Sequence, residues 1–265
     1  DSMQFVKYSS NGNDFLIFHT QNYNDGSRAY LAQKVCDRHN GIGADGMAVL
    51  IPAVGEEYAY KWEFYNADGS YASMCGNATR SVGHYAYVEG LAPKQHCFLS
   101  AVGIICIEID LHNTSLVQSD LGVYTLLQRD IIESNPYDVP SWTLLDTGVP
   151  HLVGFVKDKN ALPAKKEHIL EHLRYKYNAN VSIAYIEREH IIYMSYERGV
   201  EDITQACGTG AAAVFAIALA NGLCDKNAIL IPPSKERLEL SLSQDSHILF
   251  KGAVSRIARC EWLLD

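Results

Sequence analysis

Long apolar runs and runs of basic residues are both missing from this sequence of 265 residues. The most apolar stretch, residues 211–220, has about half of the roughly 18 apolar residues that a membrane-spanning helix needs. The formal net charge is −9, and no cluster of lysine and arginine opposes it. We therefore expect neither a membrane partner nor a nucleic-acid partner, because a nucleic-acid surface needs a basic patch.

Targeting signals and cysteine-pair motifs are missing as well. Residues 1–3 lack the charged and apolar regions of a secretory signal peptide, so we expect a cytoplasmic protein. The cysteines are odd in number and include no Cys-x-x-Cys pair or other metal-binding spacing. We expect free thiols in a reducing compartment, without a disulfide framework or a metal site. The cysteines are Cys36, Cys75, Cys97, Cys106, Cys207, Cys224 and Cys260.

What the sequence does contain is a series of strand patterns around two helical stretches. Residues 47–51, 104–110 and 191–197 have the apolar composition or alternation that is typical of strands. Residues 211–219 are apolar on every side, which predicts an enclosed helix rather than a surface helix. Strand-rich halves around one buried helix indicate an α+β fold rather than a doubly wound α/β fold.

Two short stretches that resemble each other organise the chain. The first is Met74-Cys75-Gly76-Asn77-Ala78, and the second is Ala206-Cys207-Gly208-Thr209-Gly210. Each places a cysteine and a glycine at the start of a predicted helix, after a strand that ends in a polar turn. Asn66 precedes the first cysteine by nine positions, and Glu197 precedes the second by ten. The repeat predicts two structurally related halves.

A thiol at a helix start is well placed for acid–base chemistry on an anion. Unpaired N–H groups and the positive end of the helix dipole attract anions and lower the pKa of a thiol. Two equivalent thiols suit the inversion of a stereocentre, in which one removes a proton and the other delivers one. The residues alone leave two other classes open: a redox enzyme that uses Cys75 and Cys207, and a non-catalytic binding protein that keeps the fold.

Several motifs, taken together, resemble the diaminopimelate epimerase family in order and along nearly the whole chain. The resemblance implies two pseudo-symmetric domains, each a mixed β-sheet wrapped around a central buried helix. It also implies a cofactor-independent, pyridoxal-phosphate-independent epimerase that interconverts LL- and meso-2,6-diaminoheptanedioate for lysine and peptidoglycan precursor synthesis. The motifs are Gly12-Asn13-Asp14-Phe15, Asn66-Ala67-Asp68-Gly69-Ser70, Cys75-Gly76-Asn77, Pro150-His151, Asn178-Ala179-Asn180-Val181, Glu197-Arg198-Gly199 and Ala206-Cys207-Gly208-Thr209-Gly210.

The resemblance also implies a role for individual residues. Cys75 and Cys207 are the two acid/base thiols. His151 and Glu197 tune the protonation of those thiols. The residues that hold the carboxylate at the reacting centre are Gly76, Asn77, Gly208 and Thr209. The residues that bind the amino and carboxylate groups of the substrate are Asn13, Asn66, Asn180, Glu197 and Arg198.

The resemblance leaves the substrate's distal end and the assembly less defined. Many members have Asn where this chain has Val149 and Gln where it has Gly46, so contacts to the distal end stay open. Another amino acid with a cationic or polar side chain is therefore the alternative substrate. The oligomeric state is not given by the sequence, and a homodimer is one option. We expect domains at residues 3–118, with Cys75, and 119–251, with Cys207, the last strand at about 252–265 completing the first.

Overall fold

The computed structural model describes residues 1–72 and 75–264. Met74, which begins the first Cys-Gly stretch, lies outside the described residues, as do Ser73 and Asp265. The chain forms two compact units, of which the first comprises Asp1–Ser119 and Gly252–Asp265 and the second comprises Asp120–Lys251. No helix in the described part of the chain is long and apolar enough to cross a membrane.

Strands make up most of the regular structure in the described chain. The strands are β1 Ser2–Ser10, β2 Asn13–His19, β3 Gly46–Pro52, β4 Tyr60–Asn66, β5 Gln95–Ser100, β6 Gly103–Ile109, β7 Leu116–Asp120, β8 Thr125–Ile131, β9 Trp142–Asp146, β10 Pro150–Phe155, β11 Asn180–Ile186, β12 Ile191–Glu197, β13 Asp202–Ile203, β14 Asn227–Ile231, β15 Leu238–Leu242 and β16 Ile248–Leu263. The α-helices are α1 Arg28–Cys36, α2 Gly76–Val88, α3 His168–Tyr177 and α4 Gly208–Ala220, and Lys159–Ala161 forms a 3-10 turn.

The first unit alternates antiparallel and parallel strand pairs. β1 is antiparallel to β2, β3 to β4 and β5 to β6, whereas β2 is parallel to β3 and β4 to β5. Parallel neighbours need a crossover connection, and α1 and α2 supply the two crossovers. The long last strand β16 pairs antiparallel with β1 and so joins this sheet.

The second unit repeats the same order of pairings. β9 is antiparallel to β10, β11 to β12 and β14 to β15, whereas β10 is parallel to β11 and β12 to β14. The crossovers here contain α3 and α4. Each unit therefore runs strand, strand, helix, strand, strand, helix, strand, strand, which confirms the prediction of two related halves.

One helix in each unit is enclosed by apolar side chains. Every residue of α4 from Ala211 to Ala218 is at most 3% exposed, as its uniformly apolar sequence predicts. In α2, Ala78, Val82 and Ala86 are fully buried in the core of the first unit. Burial of a valine-sized side chain contributes about 1.5–3 kcal/mol, so these helix faces are a main source of stability in each unit.

Cys97 and Cys106 form a disulfide, and the expectation of free thiols is wrong for this pair. The antiparallel strands β5 and β6 place the two cysteines directly opposite each other, with their Cα atoms 4.0 Å apart. A cross-strand pair of this kind depends on the register of the hairpin, which the cysteine spacing does not reveal.

A glycine in α2 allows the helix to approach β6 closely. A Cβ atom at Gly83 would lie 2.4 Å from Cγ2 of Ile107 and 3.1 Å from its Cγ1. Real carbon atoms do not approach so closely without a shift of the helix or the strand, because the core is already close-packed.

We predict that Gly83→Ala destabilises the protein by about 1–3 kcal/mol, the usual cost of overpacking a core. At an unhindered helix position the same change would stabilise by about 1 kcal/mol, so a net loss must come from the contact with Ile107. Urea unfolding of both single variants and the double variant measures the effect. The penalty of Gly83→Ala should disappear in an Ile107→Ala background, and an equal penalty in both backgrounds would contradict the prediction.

Candidate functional site

Cys75 occupies the position just before the first residue of α2. Its backbone is extended, with φ −147° and ψ 109°, and its carbonyl accepts the N–H of Thr79 at 3.1 Å. The N–H groups of Gly76 and Asn77 lie in the first helical turn, where no intrahelical carbonyl can pair with them. The half-buried Cys75 thus stands at the positive end of the helix dipole, where the repeat predicts it.

Cys207 occupies the equivalent position before α4. Its backbone angles, φ −130° and ψ 108°, are close to those of Cys75. Its Sγ accepts the N–H of Gly210 at 3.2 Å and lies 3.6 Å from Oγ1 of Thr209. A Cβ atom on Gly210 would lie 2.3 Å from Oγ of Ser195 and 3.1 Å from Sγ of Cys207. Only glycine therefore lets this helical turn lie so close to the sulfur.

The Cys207 thiol and the Glu197 carboxyl affect each other's pKa. Burial raises the pKa of the Cys207 thiol well above its ordinary value, and the negative charge of Glu197 raises it further. Hydrogen bonds from Thr209 and Gly210 oppose this rise but do not cancel it. Burial also raises the pKa of Glu197, while the side chains of Thr204 and Cys207 lower it. Cys207 is therefore a protonated thiol at neutral pH.

Asn13 and Asn77 meet in the first unit. Nδ2 of Asn77 donates to Oδ1 of Asn13 at 2.6 Å. Asn77 is 5% exposed in the first turn of α2, and Asn13 begins β2. Asn66 is held by its own turn instead, because its Nδ2 donates to Oγ of Ser70 at 3.0 Å. The exposed Asn66 thus lies on the surface of its unit at the end of β4.

His151, Asn180 and Arg198 form a linked group in the second unit. The parallel register of β10 and β11 sets His151 beside Asn180. The backbone N–H of Arg198 donates to Oδ1 of Asn180 at 2.6 Å, which turns the Asn180 amide nitrogen toward Nε2 of His151 at 3.4 Å. Nε2 is therefore the acceptor, and the neutral imidazole carries its proton on Nδ1.

The fully buried His151 is neutral at neutral pH. Burial, and then the positive charge of Arg198, lower the pKa of His151 to about 3. A neutral ring cannot stabilise a thiolate by positive charge, so the charge of a protonated imidazole plays no part in the tuning expected of His151. Its Nδ1 has no hydrogen-bond partner among the described residues. A buried donor without a partner costs about 1–3 kcal/mol, which favours a role for this atom in ligand binding.

The two departures from the family pattern lie on strand ends and loops. Gly46 begins β3, and a Cβ atom there would lie 2.6 Å from Cζ of Phe64 and 2.9 Å from the carbonyl oxygen of Tyr65. A larger residue at position 46 would therefore force Phe64 to move. Val149 lies in the loop before β10, where its carbonyl accepts the N–H of Thr147 at 3.2 Å.

Sequence reasoning missed two charged residues that contact the predicted site. The Asp45 carboxylate accepts a hydrogen bond from Nδ2 of Asn13 at 3.2 Å, and the Arg80 guanidinium donates to Oδ1 of Asn77. The signal for Arg80 was its charge, because residues 76–88 contain no other Asp, Glu, Lys or Arg. In the described chain, no group of three or more His, Cys, Asp or Glu side chains could hold a metal ion.

Curated relatives match along almost the whole chain. A family model described as diaminopimelate epimerase matches residues 5–127 and 143–257. The diaminopimelate epimerase of Helicobacter pylori strain HPAG1 is 48% identical over 267 residues, which cover 96% of this chain and 94% of that protein. The diaminopimelate epimerase of a Nitratiruptor species is 45% identical over 256 residues, covering 96% of each chain.

Solved structures share the fold at much lower identity. The hydroxyproline epimerase of Agrobacterium vitis matches with a TM-score of 0.70 at 12% identity, over 100% of this chain and 93% of that one. A predicted epimerase of Pseudomonas aeruginosa matches with a TM-score of 0.76 at 14% identity, over 99% of both chains. At these identities the likeness concerns the fold alone, and it confirms the predicted α+β fold with two pseudo-symmetric halves.

We predict that Glu197→Gln lowers the pKa of Cys207, because it removes a negative charge that disfavours the thiolate. The pH profile for alkylation of Cys207 should move to lower pH by about one pH unit. Mass spectrometry of the Cys207 peptide after timed iodoacetamide treatment measures this.

Glu201→Gln is the matched control for that experiment. Glu201 binds Nε of Arg174 at 2.9 Å, and its charge is not among the causes that shift the pKa of Cys207. This control should keep the wild-type alkylation profile. A wild-type profile in Glu197→Gln would contradict the contribution of the Glu197 charge to the raised pKa of Cys207.

Proposed function

The chain belongs to the diaminopimelate epimerase family, and from this premise we propose how its own residues carry out the reaction. It is an isomerase of lysine biosynthesis with diaminopimelate epimerase function. Its substrate is the amino acid diaminopimelate, whose LL and meso forms differ at one α-carbon. The chemistry to be explained is therefore the removal of an α-proton and its replacement on the opposite face.

We propose that Cys75 and Cys207 are the two acid/base groups. In the direction that starts with Cys207 as a thiol, the Cys75 thiolate takes the α-proton, and Cys207 delivers its own proton to the opposite face of the carbon. The product state has Cys75 as thiol and Cys207 as thiolate, so the reverse reaction begins from the mirrored protonation state. The raised pKa of Cys207 supports its role as the initial donor.

The carbanion intermediate needs stabilisation of the neighbouring carboxylate. We propose that the N–H groups of Gly76 and Asn77, at the start of α2, and of Gly208 and Thr209, at the start of α4, hold this carboxylate. First-turn N–H groups lack intrahelical partners and point out of the helix along the dipole. Preorganised donors of this kind are often the largest single contribution to catalysis of such proton transfers.

The remaining polar residues are assigned to the charged groups of the substrate. Arg198 is anchored by its Nη1, which donates to the carbonyl of Asn178 at 3.0 Å, so the rest of its guanidinium can pair with a carboxylate. Glu197 suits an ammonium group, and Asn13, Asn66 and Asn180 supply neutral donors and acceptors. His151 is assigned a role in tuning thiol protonation through the hydrogen bond that its unpartnered Nδ1–H can donate, without the ring itself taking up a proton.

The two alternative functions fit less well. A racemase for another amino acid is disfavoured because relatives at 45–48% identity across nearly the whole chain are diaminopimelate epimerases. A redox enzyme is disfavoured on the same ground, because those relatives are epimerases. The epimerase assignment rests above all on the two matched cysteines at helix starts.

Compartment, assembly and pathway outlet are further parts of the proposal. We place the enzyme in the cytoplasm, where its acid/base thiols stay reduced and the Cys97–Cys106 disulfide would be open to reduction.

We also propose a homodimer, because the last strand exposes Ile257 and Leu263. Light scattering after size-exclusion chromatography measures the molar mass, and the mass of a monomer would contradict the proposed homodimer. Meso-diaminopimelate would also supply peptidoglycan precursor synthesis.

We predict that Cys75→Ala and Cys207→Ala each lower epimerisation of LL-diaminopimelate by about 10²–10⁴-fold, the usual contribution of one acid/base group. In D₂O, the wild-type enzyme should place deuterium on the inverted α-carbon. NMR detects both the meso product and the deuterium.

Cys224→Ala is the control variant for this prediction. Cys224 lies after α4 and is partly buried, so its loss should leave turnover unchanged. Full epimerisation by either Cys75→Ala or Cys207→Ala would defeat the two-base mechanism.

A further inference from the structure

A series of hydrogen bonds in the first unit links a buried arginine to an exposed carboxylate through two asparagines. Arg80 Nη2 donates to Oδ1 of Asn77, and Nδ2 of Asn77 donates to Oδ1 of Asn13 at 2.6 Å. Nδ2 of Asn13 then donates to Oδ2 of Asp45 at 3.2 Å. Both asparagines are assigned to substrate binding above, whereas Arg80 and Asp45 have no role in that assignment.

The two ends of this series determine its polarity. A guanidinium has only donors, and a carboxylate has only acceptors. With a donor at one end and an acceptor at the other, each amide satisfies both neighbours in one orientation only. Asn77 must turn its oxygen toward Arg80, and Asn13 must turn its nitrogen toward Asp45. Hydrogen bonds that run in one direction also polarise and strengthen one another.

Both ends are themselves held in place. Arg80 is fully buried, and its Nη1 donates to Oγ of the buried Ser119 at 3.5 Å. Oδ1 of Asn77 receives a second donor, Nδ2 of Asn11, at 3.4 Å. At the exposed end, the Asp45 carboxylate accepts from Arg38 Nη2 at 3.2 Å and from the backbone N–H of Asp14 at 3.1 Å.

We propose that Arg80 is a positioning residue for the epimerase reaction, which sets the amide orientation of Asn77 and, through it, of Asn13. In this orientation Asn77 and Asn13 each keep one amide N–H that the series does not use. We assign these remaining N–H groups to the substrate carboxylate as donors. The inference rests on the proposed binding role of Asn77 and Asn13.

Loss of Arg80 would remove the donor that holds the Asn77 amide in this orientation. Without a strong donor at its oxygen, the Asn77 amide can flip and present its oxygen to Asn13 and to the substrate carboxylate, which repels it. Lysine cannot replace arginine here, because a single ammonium does not reproduce the planar fork that contacts Asn77 and Ser119 together. A variant can therefore keep the positive charge and still lose the orientation.

The test is a double-mutant cycle between Arg80→Lys and Asn77→Ala, with kcat and KM for LL-diaminopimelate as readouts. Arg80→Lys should lower kcat/KM about tenfold in the wild-type background, mainly through a higher KM. In the Asn77→Ala background the same change should cost less than about twofold, because the amide that Arg80 orients is gone. In Arg80→Lys, the side-chain amide NMR signals of Asn13 and Asn77 should also shift.

Arg28→Lys is the matched control for a buried arginine in the same unit. Arg28 is 7% exposed and pairs with Oε2 of Glu63 at 2.5 Å. Its substitution should lower stability but show no coupling to Asn77→Ala. Arg80→Met, which has no donor, is the second variant, and it should lose at least as much kcat/KM as Arg80→Lys.

The outcomes separate this inference from the function on which it rests. An equal loss for Arg80→Lys in both backgrounds, while Asn77→Ala alone is impaired, would overturn the positioning role and leave the binding role of Asn77 intact. Wild-type kcat/KM in both Arg80 variants would overturn it as well. Wild-type kcat/KM in Asn77→Ala would overturn the binding role and the inference together.

Discussion

Both halves of this protein must accommodate unpaired backbone N–H groups at the start of a buried helix. The first turn of a helix leaves N–H groups without intrahelical partners, and in α4 this turn leads into residues 211–218, which are all buried. The extended backbone at Cys75 and Cys207 brings a sulfur to each helix start. At Cys207 the sulfur accepts one of these N–H groups directly. The strands of each unit wrap around its central helix. The backbone N–H groups of that helix that lack intrahelical partners lie at its start.

The two helix starts share backbone geometry but differ in electrostatics. At Cys207, burial of the thiol and then the charge of the neighbouring Glu197 carboxylate raise the pKa of the thiol and keep it protonated. Cys75 packs against the apolar core of the first unit, and the first turn of α2 that follows it carries the Asn77 amide, which is hydrogen-bonded to Arg80 and Asn13. An epimerase needs one base and one acid at a time, and identical surroundings would give both thiols the same state. In the proposed mechanism, unlike side chains on pseudo-symmetric backbones would meet this requirement.

Much of the fold and of the candidate site could be predicted from local sequence patterns. The features that could not be predicted have physical reasons. The helix starts at Cys75 and Cys207 and the enclosed α4 follow from residues close together in the chain. Strand β8 gave no signal, because residues 125–130 are all exposed and show no alternation. The Cys97–Cys106 disulfide depends on hairpin register, and the contact between Asn13 and Asp45 joins residues 32 positions apart. Contacts between residues far apart in the chain leave no local sequence pattern. The identity of the substrate follows from similarity to related proteins.

The net charge of −9 would oppose the two carboxylates of the substrate, but the substrate also carries two ammonium groups. A molecule without net charge gains little from the overall field of the protein, which salt screens beyond about 8–10 Å. Recognition must therefore come from donors and acceptors in contact with each group. In the proposed site, the N–H groups at the two helix starts, the anchored Arg198 and the asparagines would be donors of this kind, because they would need no reorganisation when charge develops on the carboxylate. On that proposal, the orientation of these few groups, rather than the total charge, sets both affinity and rate.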